Sequence, residues 1–410
     1  MNLYIFNETR RGAIYGVGTY IRELTAALKN SSINVCLINL TSDKPQIQKE
    51  EVDGIKYWYF PSVISEQWTI DIQKQWDLYF RNVVYLLRLH IKDKKNLIFH
   101  LNYCQSGKLA EELKNVFTCK VISVAHFSGW GLSIYDNLER LRKILYEENL
   151  DDFGEKIKKS FEDEKFYYTK ADYVICLSNY MREILCHDYG LDTAKISVIS
   201  NGLLDVADTT TNTKRLRKKW NILPREKIIL FVGRIDEVKG MSYLIKAFRE
   251  VLKQYLNCRL IIAGSGNYDI YFQEAKEITT KITFTGLLEK KDLDELYQIA
   301  NIGVAPSLFE PFGYVPVEMM MHKLPVIATA TSGLNEVVDE YCGLKIPITV
   351  KPNSVEIDTS ILAQKIVYLL QNPDEAKLLG RNGRKRYLKK YSSKVFCNNM
   401  LQLYESIMWI

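Results

Sequence analysis

Between Ala305 and Ile327 the chain reads A-P-S-L-F-E-P-F-G-Y-V-P-V-E-M-M-M-H-K-L-P-V-I. Two carboxylates, Glu310 and Glu318, flank the turn Pro311-Phe312-Gly313, and each can accept hydrogen bonds from hydroxyl groups. A helix that starts after Gly313 places the amides of Tyr314 and Val315 at its positive end, an anion-binding position. Carboxylates for hydroxyls, amides for phosphate and a close-approach glycine together suit a nucleotide-sugar. A second constellation, G233-R234-I-D-E-V-K239-G240, sets two cations beside two glycines at a helix start. Arginine grips phosphate bidentately and lysine acts as a compact charge, so Arg234 and Lys239 read as a diphosphate clamp. Surface cations on a plain loop would not need the glycines.

Two weaker signals lie nearer the amino terminus. Gly16 and Gly18 follow the apolar run Leu3–Phe6 and precede residues at helical spacing (Tyr20, Ile21, Leu24, Ala27, Leu28). That is either a phosphate-approach loop or a tight turn. The third glycine of a dinucleotide fingerprint is missing, which argues against an oxidoreductase. His126 follows the apolar run Val121–Ala125. It can hydrogen-bond substrate hydroxyls or carry a proton near neutral pH, or simply be held by a backbone carbonyl. Trp130, just beyond, offers either a sugar-stacking face or core packing.

These residues need strands that end where they begin. Apolar runs recur at Leu3–Phe6, Val35–Leu40, Ile55–Phe60, Leu97–His100, Val121–Ala125, Tyr173–Leu177 and Ile196–Ile199. They recur again at Lys227–Val232, Arg259–Ala263, Lys281–Thr285 and Pro325–Thr329, with helical periodicity between them. Strands alternating with helices predict doubly wound parallel sheets, whose ligands bind at the carboxyl ends of strands. The polar stretch Asp205–Lys219, after Ser200-Asn201-Gly202, reads as a linker. The expected divisions are 1–205, 206–385 and a terminal helix over 386–410. The charged segment between Trp130 and Ala171 reads as helices decorating the first domain.

The E-x7-E pair with P-F-G inside it resembles the motif of retaining glycosyltransferases of family 4, which have the GT-B fold. The resemblance implies two Rossmann-like α/β domains facing a central cleft, with the donor held mostly by the second. It implies that Arg234 and Lys239 hold the donor diphosphate, Glu318 the ribose hydroxyls and Glu310 the sugar hydroxyls. It also implies that Gly16 and Gly18 close over the donor, that His126 lies near the reacting centre and that the base sits near Leu287. Phe312, Gly313, Tyr314 and Val315 complete the implied donor site, and the last helix is expected to cross back to the first domain. A UDP- or GDP-sugar donor, a glycan, lipid-linked or protein acceptor, retention of configuration and no required metal or other cofactor follow as expectations. Ser200, where the family commonly has proline, and the long segment after Trp130 leave the acceptor open. A non-catalytic nucleotide-sugar-binding subunit on the same fold is the alternative, although no motif residue is missing.

Composition fits this frame. At 410 residues the chain exceeds one ordinary domain, and two of roughly 200 residues are expected. Hydrophobic residues make up 47%, enough for two cores. The net charge of +6 is mild; it suits an anionic donor or an anionic membrane surface, and no nucleic-acid partner is expected. Eight cysteines are scattered singly, which reads as reduced thiols in a cytoplasmic protein. The amino terminus enters a strand at once, so no signal peptide is expected, and no apolar run approaches the roughly 20 residues of a membrane span. The stretch Gln73–Lys95 mixes aromatic, aliphatic and basic residues. It reads as a core helix with a solvated basic face, or as a helix lying in a membrane interface.

Overall fold

The computed structural model describes residues 1–8, 16–29, 31–62, 71–93, 95–102, 107–206 and 212–408. The chain forms two compact units. The first comprises Met1–Gly129, Glu147–Leu204 and the residues from Ser393 onward. The second comprises Trp130–Tyr146 and Asp205–Ser392.

The first unit is built on eight strands: β1 (Asn2–Glu8), β2 (Asn34–Ser42), β3 (Gln48–Val52), β4 (Ile55–Pro61), β5 (Leu97–Leu101), β6 (Cys119–Ala125), β7 (Tyr173–Cys176) and β8 (Ile196–Val198). Their order is β3-β4-β2-β1-β5-β6-β7-β8, and every pair is parallel except β3 with β4. From β1 the chain builds outward through β2 and returns to add β5 on the other side, so a topological switch point lies between β1 and β5. β5 is buried along its whole length, as a central parallel strand covered on both faces must be. The antiparallel edge strand β3, Q-K-E-E-V, is almost wholly exposed, so it carries no apolar alternation and the sequence gives no sign of it.

The second unit holds β9 (Lys227–Val232), β10 (Cys258–Ala263), β11 (Ile282–Gly286), β12 (Ile302–Ala305), β13 (Val326–Thr329) and β14 (Gly343–Ile346). Their order is β11-β10-β9-β12-β13-β14, all parallel. Its switch point lies between β9 and β12. A short antiparallel hairpin, β15 (Ile348–Val350) with β16 (Val355–Ile357), stands apart. Helix Met241–Gln254 packs Leu244, Ile245, Phe248 and Val251 into the core as one face.

Two expectations change. The stretch Asp205–Lys219 is not all linker: Thr213–Lys219 is a helix, capped by Asn212. Lys219 ties it to Asp292 at 2.6 Å and to Glu295. The helix Leu138–Tyr146 groups with the second unit, not the first. Asn137 Nδ2 donates to Lys351 O at 2.7 Å, Ser332 Oγ donates to Asp136 Oδ2 at 2.6 Å, and Tyr135 packs against the second core. The helix Asp152–Lys170 stays with the first unit, where Tyr167 OH donates to Leu101 O at 3.0 Å. The helix Ile72–His90 buries Trp76, Tyr79, Phe80, Val83, Val84 and Leu87 and leaves Arg81 and Arg88 exposed. Among the described residues no helix is long and apolar enough to cross a membrane. Seven cysteines are free thiols; Cys104 lies outside the described residues.

Candidate active site

The loops after β9 and β12 leave the second sheet side by side at its switch point, where ligands of open α/β sheets bind. After β9, Asp236 caps a single 3-10 turn, Glu237–Lys239, by accepting from Lys239 N at 3.0 Å. The same carboxylate pairs with Arg234 Nη2 at 3.2 Å, and the Arg234 side chain remains 41% exposed. Lys239 points the other way. Its Nζ lies 2.5 Å from Glu310 Oε2, with both side chains 20% exposed. Of the residues singled out from the sequence, these two come into direct contact.

Gly240 explains how the two loops come so close. It is left-handed (φ 71°), and a Cβ there would lie 1.8 Å from Pro306 O. Leu308 N donates to Val238 O at 2.8 Å beside it, and Thr331 Oγ1 holds Leu308 O at 2.8 Å. Beyond Glu310, Gly313 takes φ 105° and starts helix Tyr314–Met321. Tyr314 and Val315 open this helix at its positive end, where negative charge is favoured, and Pro316 after them carries no amide hydrogen. Phe312 is buried, edge-on to Tyr314 at 5.4 Å and to Tyr391 at 5.8 Å. Its ring therefore supports the turn from below.

Glu318 sits one turn into that helix. Tyr297 OH donates to its Oε2 at 2.7 Å, and burial raises its pKa, against the pull of Lys290 and the tyrosine hydrogen bond. Tyr297 stacks on His322 at 5.0 Å, and His322 Nε2 lies 3.1 Å from Asp294 Oδ1. Sequence reasoning missed Tyr297, Asp294 and His322, because nothing local marks residues that meet through tertiary packing. It also passed over Asp236, whose position three residues before Lys239 is a capping spacing that the sequence does carry. Leu287, after Gly286 at the end of β11, is 67% exposed, two strands from β9. Among the described residues, no group of three or more His, Cys, Asp or Glu side chains is set to hold a metal ion.

Gly16, Gly18 and His126 belong to the first unit, and Trp130 opens the second unit's segment Trp130–Tyr146. Gly16 and Gly18 lie in the first turn of helix Gly16–Leu28, and residues 9–15 before them lie outside the described residues. His126 follows β6, and its Nε2 lies 3.1 Å from Asn102 Oδ1. Asn102 Nδ2 donates to Phe6 O at 3.3 Å, which fixes the amide so that its oxygen faces the histidine. Burial, with a smaller push from neighbouring His100, lowers the His126 pKa to about 3. The imidazole is therefore neutral near pH 7, with its proton on Nε2 and an acceptor at Nδ1. A cavity of about 430 Å³ opens beside it, lined by Phe127, Lys156, Lys159, Ser160 and Asp163 among others. Glu164, also on this wall, accepts from Gly129 N at 2.6 Å and Tyr189 OH at 2.5 Å, and burial raises its pKa to about 7. Trp130 is fully buried.

The family descriptions "Glycosyltransferase Family 4" and "Glycosyl transferases group 1" match residues 14–203 and 212–386, respectively. The chain belongs to the family 4 glycosyltransferases. An uncharacterized glycosyltransferase of Methanocaldococcus jannaschii is 33% identical over 172 residues, 40% of this chain and 44% of that protein. The chain spans only 44–64% of the length of the curated relatives it matches first. In three dimensions it resembles a sucrose-phosphate synthase from Thermosynechococcus elongatus, with a TM-score of 0.73 and 23% identity over 100% of this chain and 99% of that one. It also resembles the Anabaena protein HepE in complex with UDP-glucose, with a TM-score of 0.70 and 14% identity over 99% of this chain and 100% of that one. These glycosyltransferase likenesses and the two parallel-sheet units identify the fold as GT-B.

Proposed function

We propose that this glycosyltransferase moves a hexose from a UDP- or GDP-sugar to a hydroxyl of a glycan, lipid-linked saccharide or glycoprotein or peptide acceptor, with retention of anomeric configuration. The observation that carries this reading is the meeting of Lys239 and Glu310 at the β9–β12 switch point, beside Arg234 and the helix start after Gly313. As the sugar–phosphate bond breaks, negative charge grows on the departing diphosphate. Preorganised cations and amides stabilise charge at that place more strongly in the transition state than in the ground state. Glu310 pairs with Lys239. A bound diphosphate replaces it there and releases the carboxylate to accept from sugar hydroxyls.

Glu318 has one oxygen held by Tyr297 and the other to accept from the ribose. Leu287, exposed after Gly286, lies where the base would rest. The Arg234–Lys239 pair supplies the positive charge that a divalent ion would otherwise bring, so the reaction needs no metal. In the first unit, Gly16 and Gly18 lie in the first turn of helix Gly16–Leu28, whose positive end suits the donor phosphates. Neutral His126 serves as a hydrogen-bond partner for hydroxyls, and the cavity beside it receives the acceptor. The free thiols fit a cytoplasmic enzyme. Exposed Leu78, Tyr85 and Leu89 beside Arg81 and Arg88 suit peripheral contact with an anionic membrane.

Thermal unfolding with UDP, GDP and ADP, on wild type and on Glu318→Ala, tests the reading. One nucleotide at a hundred times its Kd should stabilise the wild type by about 2.7 kcal/mol, and the variant should lose that selective gain. Stabilisation by none of the three would count against a donor site and favour a scaffold subunit.

A further inference from the structure

The first unit contains a buried polar chain that the proposed reaction leaves unused. His100, on β5, is fully buried. Its Nδ1 lies 3.0 Å from the hydroxyl of Tyr404, on the terminal helix Ser393–Met408. Its Nε2 lies 3.2 Å from the hydroxyl of Tyr20, on helix Gly16–Leu28. The Tyr20 ring in turn stands edge-to-face against His126, centroids 4.7 Å apart at 78°, and against Phe396 at 5.5 Å. Tyr20, His100 and Tyr404 are each fully buried, so water cannot replace a lost partner.

The proton inventory along the two tyrosines is short; Asn102, which faces His126, also hydrogen-bonds His100. Burial lowers the His100 pKa to about 3, so the ring is neutral, with one N–H and one acceptor nitrogen. If Nδ1–H donates to Tyr404, Nε2 accepts from Tyr20. If Nε2–H donates to Tyr20, Tyr404 must donate, and the Tyr20 proton turns to another acceptor, such as Met400 Sδ at 4.0 Å. The tautomer chosen at Tyr404 thus sets the direction of the Tyr20 hydroxyl and holds its ring. That ring is one wall of His126 and grows from the same helix whose first turn holds Gly16 and Gly18.

We propose that His100 and Tyr404 are positioning residues through which the terminal helix fixes Tyr20, and with it the orientation of His126. The proposal rests on the functional reading only in giving His126 a role in the reaction; the coupling itself is a property of the free protein. The test is nitrogen NMR of protein labelled at its five histidines, with the His126 signals assigned by their loss in His126→Gln. Tyr404→Phe removes the hydroxyl and keeps the ring. It should move the ring-nitrogen signals of both His100 and His126. Ile407→Val, a packing change on the same helix, should leave those of His126 at their wild-type positions. With a donor in hand, Tyr404→Phe should lower kcat and leave the donor KM unchanged. If Tyr404→Phe does not fold, Tyr20→Phe interrogates the next link and should likewise move His126. A His126 signal unmoved by either tyrosine variant, or moved equally by Ile407→Val, overturns the proposal. A His126→Gln enzyme with full turnover would instead refute the role given to His126 and leave the coupling standing.

Discussion

Gly240→Ala probes the contact that brings the loops after β9 and β12 together. An added Cβ would lie 1.8 Å from Pro306 O, 2.9 Å from its carbonyl carbon and 3.3 Å from Ile357 Cδ1. A carbon rests against a carbonyl oxygen at about 3.3 Å, so the loops must part by about 1.5 Å. The two closest atoms belong to the backbone and have no rotamer in which to retreat. The left-handed φ adds about 1–2 kcal/mol for any residue with a Cβ, and forced overpacking adds about 1–3 kcal/mol. A total of about 2–5 kcal/mol in a unit of this size lowers Tm by on the order of 10 °C. Gly190→Ala is the control. Gly190 has the same left-handed backbone (φ 73°), but nothing lies within 4 Å of its Cβ position, so it should lose only the first contribution. Because Gly240 adjoins Lys239, and Pro306 leads to Glu310, misplacement by more than 1 Å should also cost roughly a hundredfold in turnover. Circular-dichroism melts and donor-turnover assays on both variants decide the matter. A Gly240→Ala protein that melts like Gly190→Ala and turns over donor normally would refute the close-approach argument.

Glu164 and Tyr297 give two further tests. The Glu164 carboxyl is held up at about 7 by burial, against an ordinary 4.5. Between those values the folded protein keeps a proton that the unfolded chain has released, so stability falls as pH rises from about 4.5 to 7 and stays lower above, by up to about 3 kcal/mol. Glu164→Gln has no such titration, so the Tm of the variant minus that of wild type should climb between pH 5 and pH 8; a flat difference would contradict the assignment. Tyr297→Phe removes the hydrogen bond to Glu318 and should weaken nucleotide binding about tenfold by calorimetry, in keeping with about 1.5 kcal/mol for a hydrogen bond to a charged group. Unchanged affinity in a folded variant would show that Glu318 needs no such support.

Much of the fold was legible because its signals are local. Central parallel strands such as β5, β6 and β9 are nearly continuous apolar runs, and helix Met241–Gln254 repeats its apolar residues at helical spacing; both patterns survive in a bare sequence. Glu310, Glu318, Arg234 and Lys239 stood out for the same reason, each set beside a glycine or proline turn that only a few backbone conformations satisfy. β3 was invisible because an exposed edge strand has no face to bury. The helix Thr213–Lys219 hid in polar composition, since ion pairs to another helix, rather than an apolar stripe, hold it in place.

The sequence by itself determined which residues carry charge and hydroxyl chemistry, which backbone turns present them, and that strands and helices alternate. The tertiary structure alone decided who meets whom. Lys239 faces Glu310, 71 residues away, only because β12 returns to lie against β9 instead of extending the sheet beyond β11. Tyr297 reaches Glu318, Leu138–Tyr146 leaves the unit its neighbours build, and Tyr404 reaches His100 across 304 residues, each through packing. Periodicity and turn chemistry act over a few residues. The order of strands in a sheet follows from how all the apolar faces are buried at once, a property of the whole chain that no local window contains.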